Sequence, residues 1–406
     1  MKEFAQIRKY LENEGETAVQ LEKLLTSHKA LAPENGGDGE WEKAQALEEF
    51  LINNGITQIE HFDAADNRVS AKKRPNVVAT INGKTTKNIW ICAHLDVVPV
   101  GDLSKWNTNP WEATVSGDKI YGRGTEDNQQ GLISAVLAAL SFVKQNITPS
   151  YTIKLLFMAD EEVGSVYGMG YLVKEHLSLF SKDDLILIPD GGDQKGETIE
   201  IAEKNILWEE FHTIGKQSHG SRPDLGKNAH LANCELALKI YSLQEYFNHT
   251  NDLFEPNYST FSPTMHKQNV DGVNIIPGDD VFCMDARINP EYSLKEVKDK
   301  INLVIKEIEE KYGVTVETKD LQAVESKATD KNCETVKMLS QAIKDVHGIE
   351  TKCIGIGGGT VAAELRNLGF DAVVWSTMDS VCHQVNEYAV IKNIITDALT
   401  IAYMAL

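Results

Sequence analysis

Five segments of this chain end an apolar run, or the turn after one, on acidic or histidine residues: Ala93-His94-Leu95-Asp96, Thr125-Glu126-Asp127, Ala159-Asp160-Glu161-Glu162, Ile188-Pro189-Asp190 and Cys382-His383. A lone histidine or aspartate in such a place is ordinarily a capped turn or a satisfied hydrogen-bonding group. Five together ask for another explanation. Carboxylates crowded at one edge of a sheet repel one another unless cations neutralise them, so the set calls for metal. Mixed imidazole and carboxylate donors suit zinc, or cobalt and manganese in its place. In His94-x-Asp96, strand alternation puts both side chains on one face, where Asp96 can orient the imidazole. Glu161 and Glu162 are neighbours, and on an extended backbone they point in opposite directions. Two roles follow: one carboxylate ligates, while the other stands beside a metal-activated water as general base.

The elements that must position these residues read as an α/β pattern. The first sixty residues have helical periodicity broken by a loop over 32–39. Residues 76–82, 88–95, 151–159 and 185–189 are predicted strands, with strands 76–82 and 88–95 set around a turn at 83–87, and residues 129–145 are a predicted helix. Strands alternating with helices imply a sheet covered on both faces, with sites at the carboxyl ends of strands. From residue 206 the pattern becomes strand 206–215, helix 228–246, strand 279–288 and helix 293–312. This predicts an inserted β-α-β-β-α-β unit. Helix 332–346, the glycine loop 355–359, strand 372–376 and helix 388–405 then resume the first pattern. The expected division is 1–206, 207–320 and 321–406, the middle piece being the insertion.

With 406 residues the chain exceeds the usual single core. Its net charge of −20 opposes binding to nucleic acid or to anionic membranes. No stretch approaches the roughly 20 apolar residues of a membrane span, and the charged N-terminal segment lacks a secretory signal, so a cytoplasmic location is expected. In that setting the sequon at Asn248 predicts nothing. The six cysteines have no paired spacing and are expected to be buried free thiols.

Taken in order, AHLDVVP, YGRGTEDNQQG, ADEEVGS, GKQSHGSRPDLGKNA, NIIPGDDVFCMDAR, GIGGGT and CHQVNEYAV resemble the zinc-dependent exopeptidase and deacylase family. That family includes aminoacylase, carboxypeptidase G, carnosinase-like dipeptidases, acetylornithine deacetylase and succinyl-diaminopimelate desuccinylase. The resemblance spans nearly the whole chain. It implies a mixed sheet flanked by helices, with an inserted α+β domain serving as lid and dimer contact. It implies two divalent ions, most simply Zn2+ with Co2+ or Mn2+ as substitutes, bridged by Asp127. His94 and Asp190 would complete one ion's ligands, and Glu162 and His383 the other's. Glu161 would be the general base in cleavage of an amide bond beside a free carboxylate, in a small N-acyl amino acid or a dipeptide. A cis peptide would follow Asp127. His219 would support the developing oxyanion across the dimer interface. Arg287 and Asn274 would grip the substrate, and Gly358, Gly359 and Thr360 would receive its carboxylate.

Two positions depart from the commoner pattern. Gln129 stands where many relatives have lysine, so any role for that lysine's charge is expected to be absent. Asp190 stands where many deacylases have glutamate, which leans toward the aminopeptidase and dipeptidase relatives. Without the resemblance, Arg287 reads as an ion pair with Asp285. A rival reading takes Gly355-Ile-Gly357-Gly-Gly359-Thr360 as a dinucleotide loop with Asp379 downstream, but the final glycine is Thr360 and the segment lies late in the chain. A second rival is a binding protein that kept the fold and lost the chemistry. Every ligand position and the base, however, carry competent residue types.

Overall fold

The computed structural model describes residues 2–406. They form two compact units. One contains residues 2–201, Thr329–Ile354 and Thr360–Leu406, and the other Ala202–Ala328 with Gly355–Gly359.

The first unit is built on an eight-stranded mixed sheet. Its strands run in the spatial order Ile59–His61, Val77–Ile81, Thr152–Met158, Asn88–His94, Leu185–Asp193, Ala372–Thr377, Thr198–Glu203 and Lys352–Ile356. Asn88–His94 lies parallel to the strands on both of its sides. Parallel strands are covered on both faces, which is why Trp90, Ile91, Cys92 and Ala93 form an unbroken buried run. The predicted strands 76–82 and 88–95 do not pair with each other. Thr152–Met158 lies between them, antiparallel to the first and parallel to the second. A short turn does not make its flanking strands neighbours when each has a longer apolar strand to pair with.

Helix Gly131–Gln145 is buried from Gly131 through Phe142 and packs on helix Ile391–Ala405. Its first residue has to be glycine, because a Cβ there would stand 2.1 Å from the Pro189 carbonyl oxygen. That close approach fixes the helix start beside Asp190. The C-terminal helix begins three residues later than the expected 388, since Tyr388–Val390 is a strand paired with Lys119–Tyr121. Three helices, Lys2–Leu11, Gly15–Ser27 and Trp41–Asn53, occupy the N-terminal region.

The C-terminal helix carries a buried acid. Asp397 accepts from Ser376 Oγ at 2.9 Å and from the Thr377 amide at 2.8 Å, and burial raises its carboxyl to about 7. In the unfolded chain this group ionises near pH 3.9. The native state therefore holds the extra proton, and stability falls as pH rises from about 4 to about 7, then levels off. Asp397→Asn is expected to flatten that part of the profile, as measured by urea unfolding across the interval.

The second unit is a four-stranded antiparallel sheet in the order Thr260–His266, Asp279–Ile288, Asn205–Ile214, Thr315–Val324. Helices Ala229–Tyr241 and Leu294–Tyr312 cover it. Leu207, Phe211, Leu236, Ile240, Phe282 and Ile301 lie in its core. The long helix starts with a capping box of Ser293 and Glu296 and stops at Gly313, whose φ is +65°. The element order is β-α-β-β-α-β, as the sequence predicts.

All six cysteines are free. Cys92, Cys283 and Cys333 are buried as expected, but Cys353 and Cys382 are only half-buried and Cys234 is exposed, because it lies on the outward side of helix Ala229–Tyr241. No helix among the described residues is long and apolar enough to cross a membrane.

Candidate metal centre

Asp127 lies at the middle of a cluster wholly within the first unit. Its Oδ1 is 2.9 Å from His94 Nε2, and its Oδ2 is 3.1 Å from His383 Nε2. Each histidine has a second carboxylate: Asp190 Oδ1 is 3.5 Å from His94 Nε2, and Glu162 Oε2 is 3.0 Å from His383 Nε2. Metal–ligand distances of about 2.0–2.2 Å place tetrahedral ligands roughly 3.3–3.6 Å apart, close to these separations. Glu161 also reaches the cluster, and one donor atom each from His94, Glu161 and Asp190 lie within 4.8 Å of one another.

The expected opposition of Glu161 and Glu162 does not hold. Glu161–Val163 is a turn of 3-10 helix entered through Asp160 at φ +70°, so the backbone there is not extended. Both carboxylates face the cluster. Asp96 does more than orient His94. Its carboxylate accepts the amides of Glu161 and Glu162, each at 3.0 Å. His94 Nδ1 lies 3.0 Å from the Asp96 carbonyl oxygen and 3.5 Å from its Oδ1.

The protonation pattern shows what the donor set lacks without cations. Burial raises Glu161 far above the usual carboxylate range, helped by Asp190, Glu162 and Asp127. Burial and the Asp127 charge bring Glu162 to about 7. Burial would raise Asp127 too, but hydrogen bonds from His383 and His94 outweigh it and hold it low. Burial would lower His94, yet the carboxylates of Asp190, Asp127 and Asp96 raise it well above its ordinary value. His383 rises to about 10 through its bonds to Asp127 and Glu162. Glu162 Oε1 is buried without a hydrogen-bond partner. Four carboxylates competing for protons around two imidazoles, with an orphaned oxygen among them, fit divalent cations.

The model of peptidase family M20/M25/M40 matches residues 90–406. The chain belongs to that family. It is a metallohydrolase of peptide or amide bonds. A protein of Methanocaldococcus jannaschii described as an uncharacterized metallohydrolase is 40% identical over 397 residues, covering 94% of this chain and 96% of that one. The succinyl-diaminopimelate desuccinylase of Pelagibacter ubique is 25% identical, covering 80% of this chain and 83% of its own. The structure of human carnosine dipeptidase 1 superposes with a TM-score of 0.76 at 17% identity, over 99% of this chain and 98% of that one, and shares the fold.

In this M20 hydrolase the loops bearing the ligands are held by buried charges that the motifs contain but that have no evident local purpose. Glu387 accepts the amides of Gly124, Glu126 and Asp127 at 3.0–3.1 Å and pairs with Arg123 at 2.6 Å. Glu126 accepts the amides of Asp379, at 2.7 Å, and Val381. It thereby fastens the turn in which His383 sits at φ +62°, a conformation costly for a side chain with a Cβ. The peptide between Asp127 and Asn128 is cis, and Asn128 Nδ2 donates to Asp190 Oδ1 at 2.6 Å. Only the order of CHQVNEYAV and YGRGTEDNQQG marked these residues in the sequence.

Gln129 replaces the family lysine, but a cation remains close by. With its amide nitrogen donating to Glu22 at 2.9 Å and Thr26 at 3.0 Å, the Gln129 oxygen accepts from Lys43 Nζ at 3.3 Å. Lys43 is buried. That burial lowers its ammonium to about 8, opposed by the charges of Asp96, Glu22, Glu40 and Glu387.

Arg74 fixes the other side of the Glu161 turn. It is fully buried, donates from Nε to Glu40 Oε2 at 2.7 Å, and lies 3.0 Å from Asp160 Oδ1. Arg74→Met leaves both acids without their cation and is expected to cost about 3–5 kcal/mol. A loss of unfolding free energy of that order, from urea titration of both proteins, checks it.

The remaining predicted residues lie elsewhere. In the second unit, Ser218–His219 pairs with Ile275–Ile276, and the Gly220 amide donates to the Asn274 carbonyl at 2.7 Å. His219 and Asn274 are exposed. Arg287 makes the ion pair with Asp285, at 2.7 Å, that its spacing suggests, and also donates to the Gly357 carbonyl at 2.7 Å. Gly358 and Gly359 belong to this unit and Thr360 to the first. The Thr360 hydroxyl accepts the Ala362 amide at 3.1 Å, at the start of helix Ala362–Asn367.

Proposed function

We propose that this chain is a dinuclear amidohydrolase that cleaves small N-acyl amino acids or dipeptides bearing a free carboxylate. One observation carries the reading. Asp127 turns each of its oxygens to a different histidine, and each histidine has its own second acid within 3.5 Å. This divides the donors into two sets sharing one carboxylate: His94 and Asp190, and His383 and Glu162. Two divalent ions, zinc by donor type, would polarise the substrate carbonyl and acidify a water there.

The chain's own groups do the rest. Glu161 takes the water's proton and returns it to the departing amine, a task that suits a carboxylate whose affinity for protons is raised by burial. Asp96 holds both glutamate amides and the His94 ring in place. His219 donates to the developing oxyanion. Asn274 and Arg287 grip the substrate, for which Arg287 exchanges the Gly357 carbonyl for the carboxylate, and Gly358, Gly359 and Thr360 offer the amides that complete its seat. The inserted unit closes as a lid and pairs two chains. Scattering that shows no compaction with a substrate analogue removes the lid role, and a monomeric mass in solution removes the pairing.

The desuccinylase relatives favour an acylated substrate, whereas Asp190 leans toward free peptides. A panel of N-succinyl-diaminopimelate, N-acetyl amino acids and unblocked dipeptides, with a chelator control, decides between them. Chelator-sensitive cleavage confined to acylated compounds establishes a deacylase, and cleavage of free dipeptides a peptidase. No turnover of any member by the metal-loaded chain contradicts the proposal.

A further inference from the structure

A second group of metal-type donors lies in the other unit, apart from the Asp127 cluster. His230 stands in the first turn of helix Ala229–Tyr241, His266 ends strand Thr260–His266, and Asp280 lies near the start of strand Asp279–Ile288. One donor atom from each falls within 4.8 Å of the others. His230 Nδ1 is 3.2 Å and His266 Nε2 is 3.1 Å from the same atom, Asp280 Oδ1. Those separations are close to the roughly 3.3 Å between donors sharing a tetrahedral zinc ion.

Three features go beyond a chance meeting of side chains. Asp280 is buried, yet the only ion-pair partners found for it among the described residues are these two imidazoles. Its Oδ1 also receives Asn269 Nδ2 at 2.5 Å, so three nitrogens crowd one oxygen. Its other oxygen accepts from Asn233 Nδ2 at 2.8 Å, and Asn233 Oδ1 in turn accepts from the Thr213 hydroxyl at 2.5 Å. Such a buried relay is the outer support that orients a ligating carboxylate. The strand pairing slips between Pro263 and His266, and the irregularity turns His266 toward Asp280. On the far side of the His230 ring, Nε2 lies 3.7 Å from Cys234 Sγ, a partner for the nitrogen that does not face Asp280.

We infer that His230 Nδ1, His266 Nε2 and Asp280 Oδ1 form a further divalent-cation site in the inserted unit, of zinc, cobalt or nickel type, with its remaining coordination open to water. Two imidazoles and one carboxylate select this class of metal over calcium or magnesium. On the proposed roles of Asn274 and His219 in holding substrate, the site bears on substrate handling through the segment that follows His266. That segment contains Asn269, which touches Asp280, and Asn274, whose carbonyl holds Gly220 beside His219. An ion here ties both ends of the segment to the helix that begins at Ala229.

Both histidine side chains are about half exposed, so replacing them leaves the core intact. The test counts ions on the chelator-stripped full chain after titration with Zn2+ and gel filtration. His230→Ala/His266→Ala is expected to retain its circular dichroism and to bind one ion fewer per chain. The same loss is expected when the pair is placed in an Asp127→Ala background, which separates this site from the Asp127 cluster. Hydrogen exchange over 267–278 is expected to slow on Zn2+ addition in the parent chain but not in the double variant. Equal ion counts with and without the two histidines, in both backgrounds, overturn the inference and leave a hydrogen-bonded cluster around a buried acid.

Discussion

Glu161→Gln is expected to lower turnover by about 10²–10⁴-fold while leaving the metal content unchanged. The amide keeps the shape of the side chain and cannot accept the water's proton. Glu161 is buried, and burial, with the charges of Asp190, Glu162 and Asp127, raises its affinity for a proton in the cation-free chain. Its position admits a second outcome. Glu161 is within ligand distance of His94 and Asp190, so a Gln variant that loses an ion would make it a ligand and would move the base elsewhere. Metal analysis beside single-turnover kinetics separates the two.

Asp127→Ala is expected to lose activity and the metal of its own cluster. Each of its oxygens serves one histidine at 2.9–3.1 Å, whereas Glu162, placed against His383, comes only within 4.8 Å of a His94 nitrogen, and Asp190 is placed against His94. Removing it should weaken zinc by more than the roughly 10–100-fold typical of an outer partner, and turnover should fall to background. The backbone should survive, because the Asp127 amide is still received by Glu387. Unchanged circular dichroism with loss of this cluster's zinc, while the ion at His230, His266 and Asp280 stays, is the expected pair of observations. Retention of full zinc content would remove Asp127 from the bridging role.

The sequence made the ligand-bearing segments legible because each polar residue follows a buried apolar run, and such runs are strands whatever they pair with. The inserted unit was legible for the same reason: strand 205–214 and helix 294–312 have unmixed periodicities and, at Ser293, a clear cap. What the sequence hid depends on long-range contact. Glu387 reaches Arg123 and Asp127 from more than 250 residues away, and nothing local to it announces that. Lys43 supplies a cation beside Gln129 from a different helix, so the missing lysine looked like a missing charge. The opposed glutamates failed on a local point, since Asp160 takes a left-handed conformation and turns an extended reading into a helical one. His230, His266 and Asp280 share no motif, and only the folded sheet brings them together.

The central claim is that Asp127 sits between two ions. Crystals of the zinc-loaded chain, measured at energies on either side of the zinc absorption edge, test it directly. The account predicts two anomalous peaks about 3.5–4 Å apart, one beside His94 and Asp190 and one beside His383 and Glu162, with Asp127 bound to both. A single peak at that cluster, or none with zinc in excess, would contradict it.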